Sequence, residues 1–380
     1  MAMLHEHVNF SNAVPLGERD GVKVVRGSLK RLSQCEDVPD APIVVKTYMT
    51  RTSATGKQLE YKYLHKAEVE ARLLLYLHER VEDRADINIY CDEYLHSGLS
   101  YSSVSITMPA CPTQDLLSIY DRMCGAGDKV LPNETTCAIG LELIKEVQHL
   151  HKKGLCHGDL HAGNVLVSKL AMVHRDPRPP CFRTLFEVDD PPLEVRIIDF
   201  NMSFPFEKAD SSPFNENGRT GKPGAMFLHD DIKAADRYTV VDDVGSVAIV
   251  LLLCSLGYNA ISALSKEAKE QLQRARQDNN KQQHAWAAKS ICSRMDKFVR
   301  TLLAEGVSSC DGDDAFIKEL VPRVPEFLRR YMRVVQACRQ KIVTSREIRQ
   351  VDIASKIDYK ILSAVFDGEL ARLAAGAVQS

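Results

Sequence analysis

The spacing of apolar residues changes near Pro109–Pro112, and this change limits the folds that are open to the chain. Before it, short β-branched runs such as Ile43–Val45 stand beside one helical stretch at Lys57–Arg80. After it, apolar residues recur mostly at helical spacing. We therefore expect an α+β protein with a small, mainly β domain at residues 1–110 and a larger, mainly helical domain at residues 111–380.

Composition and charge exclude several classes of protein. The 380 residues carry 49 Lys and Arg against 51 Asp and Glu, and this net charge of -2 gives no overall field for binding nucleic acid. The longest apolar run, Val247–Cys254, is too short to cross a membrane and predicts a buried helix. Eleven cysteines without a Cys-x-x-Cys pair favour reduced thiols, and residues 1–12 show no secretory signal. The sequence thus predicts an intracellular, cytoplasmic protein.

One segment carries most of the candidate chemistry: His157-Gly-Asp-Leu-His-Ala-Gly-Asn, directly after a predicted helix at Thr136–Lys152. An apolar strand follows it, and a second strand ends at Asp199. Phosphoryl transfer from a nucleotide needs a carboxylate at the acceptor hydroxyl and oxygen ligands for Mg²⁺. Asp159 would take the proton of the hydroxyl, while Asn164 and Asp199 would hold the metal. The plain alternative is three polar residues that end loops and strands.

These motifs resemble, in their order, the eukaryotic protein kinase superfamily over residues 14–257. The resemblance implies a two-lobed fold in which Lys46 holds the α and β phosphates of ATP. It makes Glu68 the helix partner of Lys46, with Glu70 as the rival for that role. Asp159 completes the catalytic set that the resemblance implies, and the implied cofactors are ATP and Mg²⁺.

The segment Leu16-Gly-Glu-Arg-Asp-Gly-Val lies where the family has its glycine-rich loop over the phosphates. Gly17 and Gly21 remain as nucleotide-binding residues, whereas Arg19 replaces the middle glycine. A plain turn before a strand would account for this segment about equally well.

Two later segments are similar to parts of protein kinases in particular. Gly221–Phe227 resembles the end of an activation segment, and Asp242–Ala248 resembles the start of the buried central helix. Asp243 would then brace the backbone of the catalytic loop. Small-molecule kinases with His-Gly-Asp-Leu-His do not usually show these features. The resemblance therefore implies a serine/threonine kinase with a protein substrate.

Several residues depart from the family pattern. Gly158 replaces the usual arginine, so we do not expect control by activation-loop phosphorylation. His161 replaces the usual lysine, and Asn201 replaces a glycine at a position where left-handed backbone is tolerated by Asn. These departures keep two alternatives open: a pseudokinase that binds nucleotides or partners as a scaffold, and a small-molecule kinase of the aminoglycoside or choline kinase type.

Two regions have no match to the family. The insertion at residues 169–194 predicts a surface loop or a partner-docking element. Beyond residue 257 the helices cannot be aligned with the family. The arginine-rich stretch at residues 323–349 predicts a solvated helix face, with contact to an anionic partner as the alternative.

Overall fold

The protein is described by a computed structural model and has an α+β fold that is mostly helical, with a small antiparallel sheet. The chain divides into two units, Met1–Pro112 with Asp199–Ser203 and Thr113–Ile198 with Phe204–Ser380. The structure describes residues 8–19, 22–29, 41–49, 51–52, 59–60, 67, 70–74, 77, 88–95, 100–109, 114–123, 129–167, 173–174, 193, 195–206, 240–264, 293–304, 314–343 and 354–377.

A five-stranded antiparallel sheet forms the first unit. Its strands are β1 (Val8–Arg19), β2 (Val22–Leu29), β3 (Ala41–Met49), β6 (Asn88–Leu95) and β7 (Ser100–Pro109), and their order is β1-β2-β3-β7-β6. The middle strand, β3, carries the β-branched residues that pack well in a sheet, and Ile43 and Val45 are buried. Because β3 has neighbours on both sides, a polar residue within it is held at a fixed position.

The predicted helix at Lys57–Arg80 is only partly correct. Residues 67, 70–74 and 77 are helical, but β5 (Leu59–Glu60) pairs antiparallel with β4 (Arg51–Thr52). Pairing between these two short strands satisfies backbone groups that the helix would otherwise have used, and such pairing overrides weak helix propensity.

The second unit is mainly helical. Its helices are α1 (Leu116–Met123), α2 (Asn133–Lys152), α3 (Val240–Leu256), α4 (Ser293–Leu303), α5 (Ala315–Leu320), α6 (Glu326–Val343) and α7 (Tyr359–Ala377). The apolar run in α3 is buried as predicted, and α3 packs against α2 and α6. The helix that we predicted from Thr136 begins three residues earlier, directly after Pro132. The burial of α3 is expected, because a helix that is apolar on all sides packs inside a core.

Short strands of the second unit lie around the candidate loop. The strands are β8 (Gln114–Asp115), β9 (Lys129–Val130), β10 (Leu155–Cys156), β11 (Val165–Val167), β12 (Val173–His174), β13 (Val195–Ile197) and β14 (Phe204–Pro205). They pair as β13-β11-β8, β10-β14 and β12-β9. The pair β11–β13 joins the two motif strands that the sequence predicted. Most of the 169–194 insertion lies outside the described residues.

In the described part of the arginine-rich stretch, several arginines form ion pairs with nearby glutamates. Arg330 and Arg333 both lie near Glu326, at 3.8 and 3.3 Å, and Arg323 lies 3.6 Å from Glu319. Arg330 is exposed, as the predicted solvated face requires, whereas the side chain of Arg323 is only 20% exposed. In the described part of the chain, no helix has the length and apolar character needed to span a membrane.

Replacement of Gly140 by Ala tests the contact of three helices. A Cβ on Gly140 of α2 would lie 2.7 Å from Phe366 Cε1 on α7 and 3.0 Å from Leu251 Cδ1 on α3. Because the site is closed on both sides, we expect Gly140→Ala to lower the free energy of unfolding by about 1–3 kcal/mol. Urea denaturation measures this change.

Gly368→Ala is the matched control, because a Cβ at that position of α7 meets no atom within 4 Å. Its expected effect is neutral or stabilising by up to about 1 kcal/mol, since Ala favours helix. Equal stability of the two variants would contradict the close packing at Gly140.

Candidate functional site

A buried lysine stands at the middle of β3 in the first unit. Lys46 Nζ lies 3.0 Å from Glu70 Oε1 and 2.7 Å from Asp199 Oδ1. Lys46 is 8% exposed and Glu70 only 2%. The structure therefore brings together one ammonium group and two carboxylates, and two of these three residues were predicted as partners in a nucleotide site.

The electrostatics of this cluster keep Lys46 charged. Burial by itself lowers the pKa of Lys46, but the attraction of Glu70 and then of Asp199 outweighs burial and raises the pKa above its ordinary value. Lys46 is therefore a positive charge at neutral pH, fixed in place by its two partners.

Tyr48 also belongs to the cluster, although it is part of none of the predicted motifs. Its hydroxyl donates a hydrogen bond to Glu70 Oε2, and Lys46 Nζ lies 5.2 Å from the centre of its ring. Burial, followed by the charge of Glu70, raises the pKa of Tyr48, so the hydroxyl keeps its proton. The available signal was strand alternation, since residues i and i+2 share a face.

Glu70 is the partner of Lys46, and this was the rival assignment to Glu68. Glu70 shares a buried helical stripe with Ala67, Ala71 and Leu74. Glu68 lies outside the described residues, and its assignment stays a prediction.

The two glycines of the predicted phosphate loop are only partly described. Gly17 lies in β1, opposite Val24 of β2, and the strand register shifts between Pro15 and Gly17. Such a bulge bends a strand locally. Gly21 lies outside the described residues.

Asp199 has an uncommon backbone conformation, with φ 69° and ψ 72°. It is the one non-glycine residue with positive φ among those that the structure describes. Asp tolerates this left-handed region better than most residues, and such conformations cluster at functional sites. Asn201, a residue type that tolerates left-handed backbone, does not use that conformation here: it lies within a 3₁₀ turn at Phe200–Met202, where φ is negative.

The candidate loop at residues 157–164 is held by a carboxylate of the second unit. Asp243 of α3 accepts hydrogen bonds from the backbone N–H groups of His157 and Gly158, at 2.8 and 3.1 Å. This is the brace that the sequence predicted. Gly158 has φ 81°, a conformation that an arginine rarely adopts, which explains a glycine at this position.

The remaining bonds of the loop fix Asn164 and the residue before Asp199. Asn164 Nδ2 donates to the backbone oxygen of Asp159 at 2.9 Å, so the side-chain oxygen Oδ1 is the acceptor that the amide retains. Ile198 N–H donates to the backbone oxygen of Asn164, and His157 Nε2 lies 3.0 Å from Ile198 O. An amide oxygen such as that of Asn164 and a carboxylate such as that of Asp199 are each hard oxygen donors of the kind that Mg²⁺ prefers.

A second buried cluster extends the brace to the last helix. His151 Nε2 lies 2.9 Å from Asp243 Oδ2, and the hydroxyl of Tyr359 on α7 forms a hydrogen bond with His151 Nδ1. His151 is therefore a buried residue with two polar partners. Tyr359 lies more than 200 residues along the chain, and no local pattern could have found it.

His151, Cys156 and Asp243 have the spacing of a metal site, with possible ligand atoms within 4.8 Å of one another. Their chemistry favours a structural role. Burial, and then the charge of Asp243, raises the pKa of Cys156 well above its ordinary value, so the thiol keeps its proton. Asp243 already accepts two backbone hydrogen bonds and one bond with His151.

Tyr48→Phe tests how much the tyrosine hydroxyl stabilises the Lys46 cluster. The substitution removes a donor from a buried carboxylate, and we expect the free energy of unfolding to fall by about 1.5–3 kcal/mol. Tyr331→Phe is the control, because Tyr331 is equally buried but donates to a neutral acceptor, the backbone oxygen of Val244. Its expected cost is about 1 kcal/mol. A larger loss for Tyr331→Phe, by urea denaturation, would contradict the role of Tyr48.

Asp243→Asn tests the brace. One oxygen becomes an N–H₂ group that faces backbone donors, so we expect a loss of about 2–5 kcal/mol in the free energy of unfolding. Asp358→Asn is the control: Asp358 accepts from Lys360 and Ile361 at the exposed start of α7, where Asn caps as well as Asp. Thermal unfolding with similar losses for both variants would refute the brace.

No protein-family model matches this chain, and no curated protein matches it. The functional conclusion therefore depends on the residues and geometry of the two clusters.

Proposed function

We propose that this protein is a Mg-ATP-dependent phosphotransferase of protein-kinase-like, two-lobed fold, which transfers the γ-phosphoryl group to a serine or threonine hydroxyl of a protein. The observation that carries the proposal is the buried Lys46 ammonium, held between Glu70 and Asp199. The sequence resemblance assigns these positions to nucleotide phosphates and metal.

Burying an ammonium group costs desolvation free energy, so a buried lysine suggests a role beyond stability. Replacement of buried ion pairs by apolar residues is often neutral or stabilising, so packing alone gives weak reason to place Lys46 here. A lysine fixed as a point charge is a common ligand for phosphate oxygens. In the proposed function, Glu70 orients Lys46 and Lys46 binds the α and β phosphates of ATP.

Asn164 and Asp199 would hold the Mg²⁺ that accompanies ATP. The ion supplies positive charge to the phosphate oxygens when it is bound. The two residues would supply oxygen ligands. The left-handed backbone positions Asp199, and the hydrogen bond that Asn164 Nδ2 donates to the backbone oxygen of Asp159 positions Asn164.

Asp159 would orient the acceptor hydroxyl and take its proton. Its side chain is 14% exposed and its backbone oxygen is fixed by Asn164. Asp243 supports the loop through two backbone N–H groups, as in the protein kinases that the sequence resembles. The segment Gly221–Phe227, which favours a protein acceptor, lies outside the described residues.

A small-molecule kinase is the second candidate, and His161 favours it. Serine/threonine kinases place a lysine at this position. Small-molecule kinases that share the loop motif often carry a histidine there, as this chain does at His161. The pseudokinase alternative differs from both because it predicts no transfer.

The first test of the proposal is a thermal-shift titration with ATP, with and without Mg²⁺. Ligand at a hundredfold excess over Kd stabilises the folded state by about 2.7 kcal/mol. We expect Mg²⁺-dependent stabilisation of the wild type and its loss in Lys46→Ala and Asp199→Ala. Lys145→Ala is the control, because this lysine is exposed and lies in a surface ion pair with Glu142. No shift in the wild type at millimolar ATP would overturn the proposed function.

A double-mutant cycle tests whether Asn164 and Asp199 hold the same ion. If both bind one Mg²⁺, the combined Asn164→Ala and Asp199→Ala variant loses less Mg²⁺ affinity than the sum of the single losses, by about 0.5–3 kcal/mol. Strictly additive losses would contradict a shared ion.

A further inference from the structure

His161 lies in the candidate loop, in a geometry that the proposed roles do not explain. It precedes the 3₁₀ turn Ala162–Asn164, and its Nδ1 accepts a hydrogen bond from the backbone N–H of Gly163 at 2.9 Å. The imidazole thus caps the turn in the way that Asn or Ser side chains cap helices.

Gly163 provides the space in which this ring lies. A Cβ at position 163 would stand 2.9 Å from His161 Cε1 and 3.1 Å from Nδ1. Any other residue at Gly163 would therefore move the ring from its position. The absence of a side chain at Gly163 therefore leaves room for the observed orientation of the His161 ring.

The cap also decides which nitrogen of His161 carries the proton. A ring nitrogen that accepts a hydrogen bond has no proton, so in the neutral ring the proton is on Nε2. His161 Nε2 lies 3.7 Å from Asp159 Oδ2, and the two side chains are only 18% and 14% exposed. This separation exceeds a hydrogen bond, but such bonds at reacting groups often shorten only when the substrate is bound.

We propose that His161 is a positioning residue, whose Nε2–H orients the carboxylate of Asp159 toward the acceptor hydroxyl. The proposal rests on the proposed phosphotransferase function and adds to it a residue with a defined tautomer. His161 would act through Asp159 and would not itself contact the phosphates. It also gives the loop a directional N–H donor in place of the flexible ammonium of a lysine.

Two substitutions test the roles of the two ring nitrogens of His161 separately. His161→Ser keeps an oxygen that can accept from Gly163 N–H but cannot reach Asp159. His161→Gln places an amide N–H near the position of Nε2 and gives up the cap. We measure kcat and KM as ADP release from Mg-ATP with water as the acceptor, together with the melting temperature of each variant.

We expect His161→Ser to keep its melting temperature and to lose at least about tenfold in kcat, with KM for ATP unchanged, because general-base catalysis contributes about 10²–10⁴-fold. His161→Gln should melt a few degrees lower and keep kcat within about threefold. The proposal would be overturned if the loss of kcat in the two variants simply paralleled the fall in melting temperature. It would also be overturned if His161→Ser kept the wild-type kcat.

A second measurement does not depend on turnover. In full-length protein with ¹⁵N-labelled histidines, the signal of His161 is identified among the 12 histidines by its absence in His161→Gln. Its ¹⁵N shifts should show the Nε2–H tautomer, and Asp159→Asn should shift Nε2. An Nδ1–H tautomer, or no response to Asp159→Asn, would overturn the positioning role. Absence of ATP binding and turnover in the wild type would instead refute the phosphotransferase function, whereas the tautomer result by itself tests the contact between His161 and Asp159.

Discussion

A charge that is buried in a protein must be matched by partners, and this requirement organises both clusters of the molecule. Lys46 is matched by Glu70 and Asp199, and Asp243 is matched by two backbone N–H groups and His151. Removing one partner would leave a buried charge uncompensated, which costs far more than a surface ion pair is worth. Each cluster therefore fixes elements that are distant in sequence.

The brace at Asp243 connects the candidate loop with the last helix. Asp243 contacts His151, and His151 contacts Tyr359 at the start of α7. The same helix packs Phe366 against Gly140 of α2. The region after residue 257, which has no match to the kinase pattern, therefore supports the loop that carries Asp159 and His161.

Two backbone positions illustrate how local conformation and chemistry are linked at this site. Gly158 and Asp199 both have positive φ, and each lies next to a group with a proposed role. The glycine adopts this conformation without strain, whereas Asp199 keeps it because the surrounding contacts, among them the ion pair with Lys46, hold it. A glycine at position 158 is thus compatible with the positive φ of the backbone there.

The sequence by itself determined the α+β class, the buried helix at Val247–Cys254, and the carboxylates and amide of the candidate site, because periodicity and short motifs are local properties. Tertiary structure decided which glutamate pairs with Lys46. It also brought Tyr48 to that pair, placed the left-handed residue at Asp199, and joined Tyr359 to His151. These outcomes depend on helix phase and on contacts across many residues, which a local pattern does not contain. Strand pairing at Leu59–Glu60 overrode helix propensity for the same reason, since hydrogen bonds with a neighbouring strand decide a short segment.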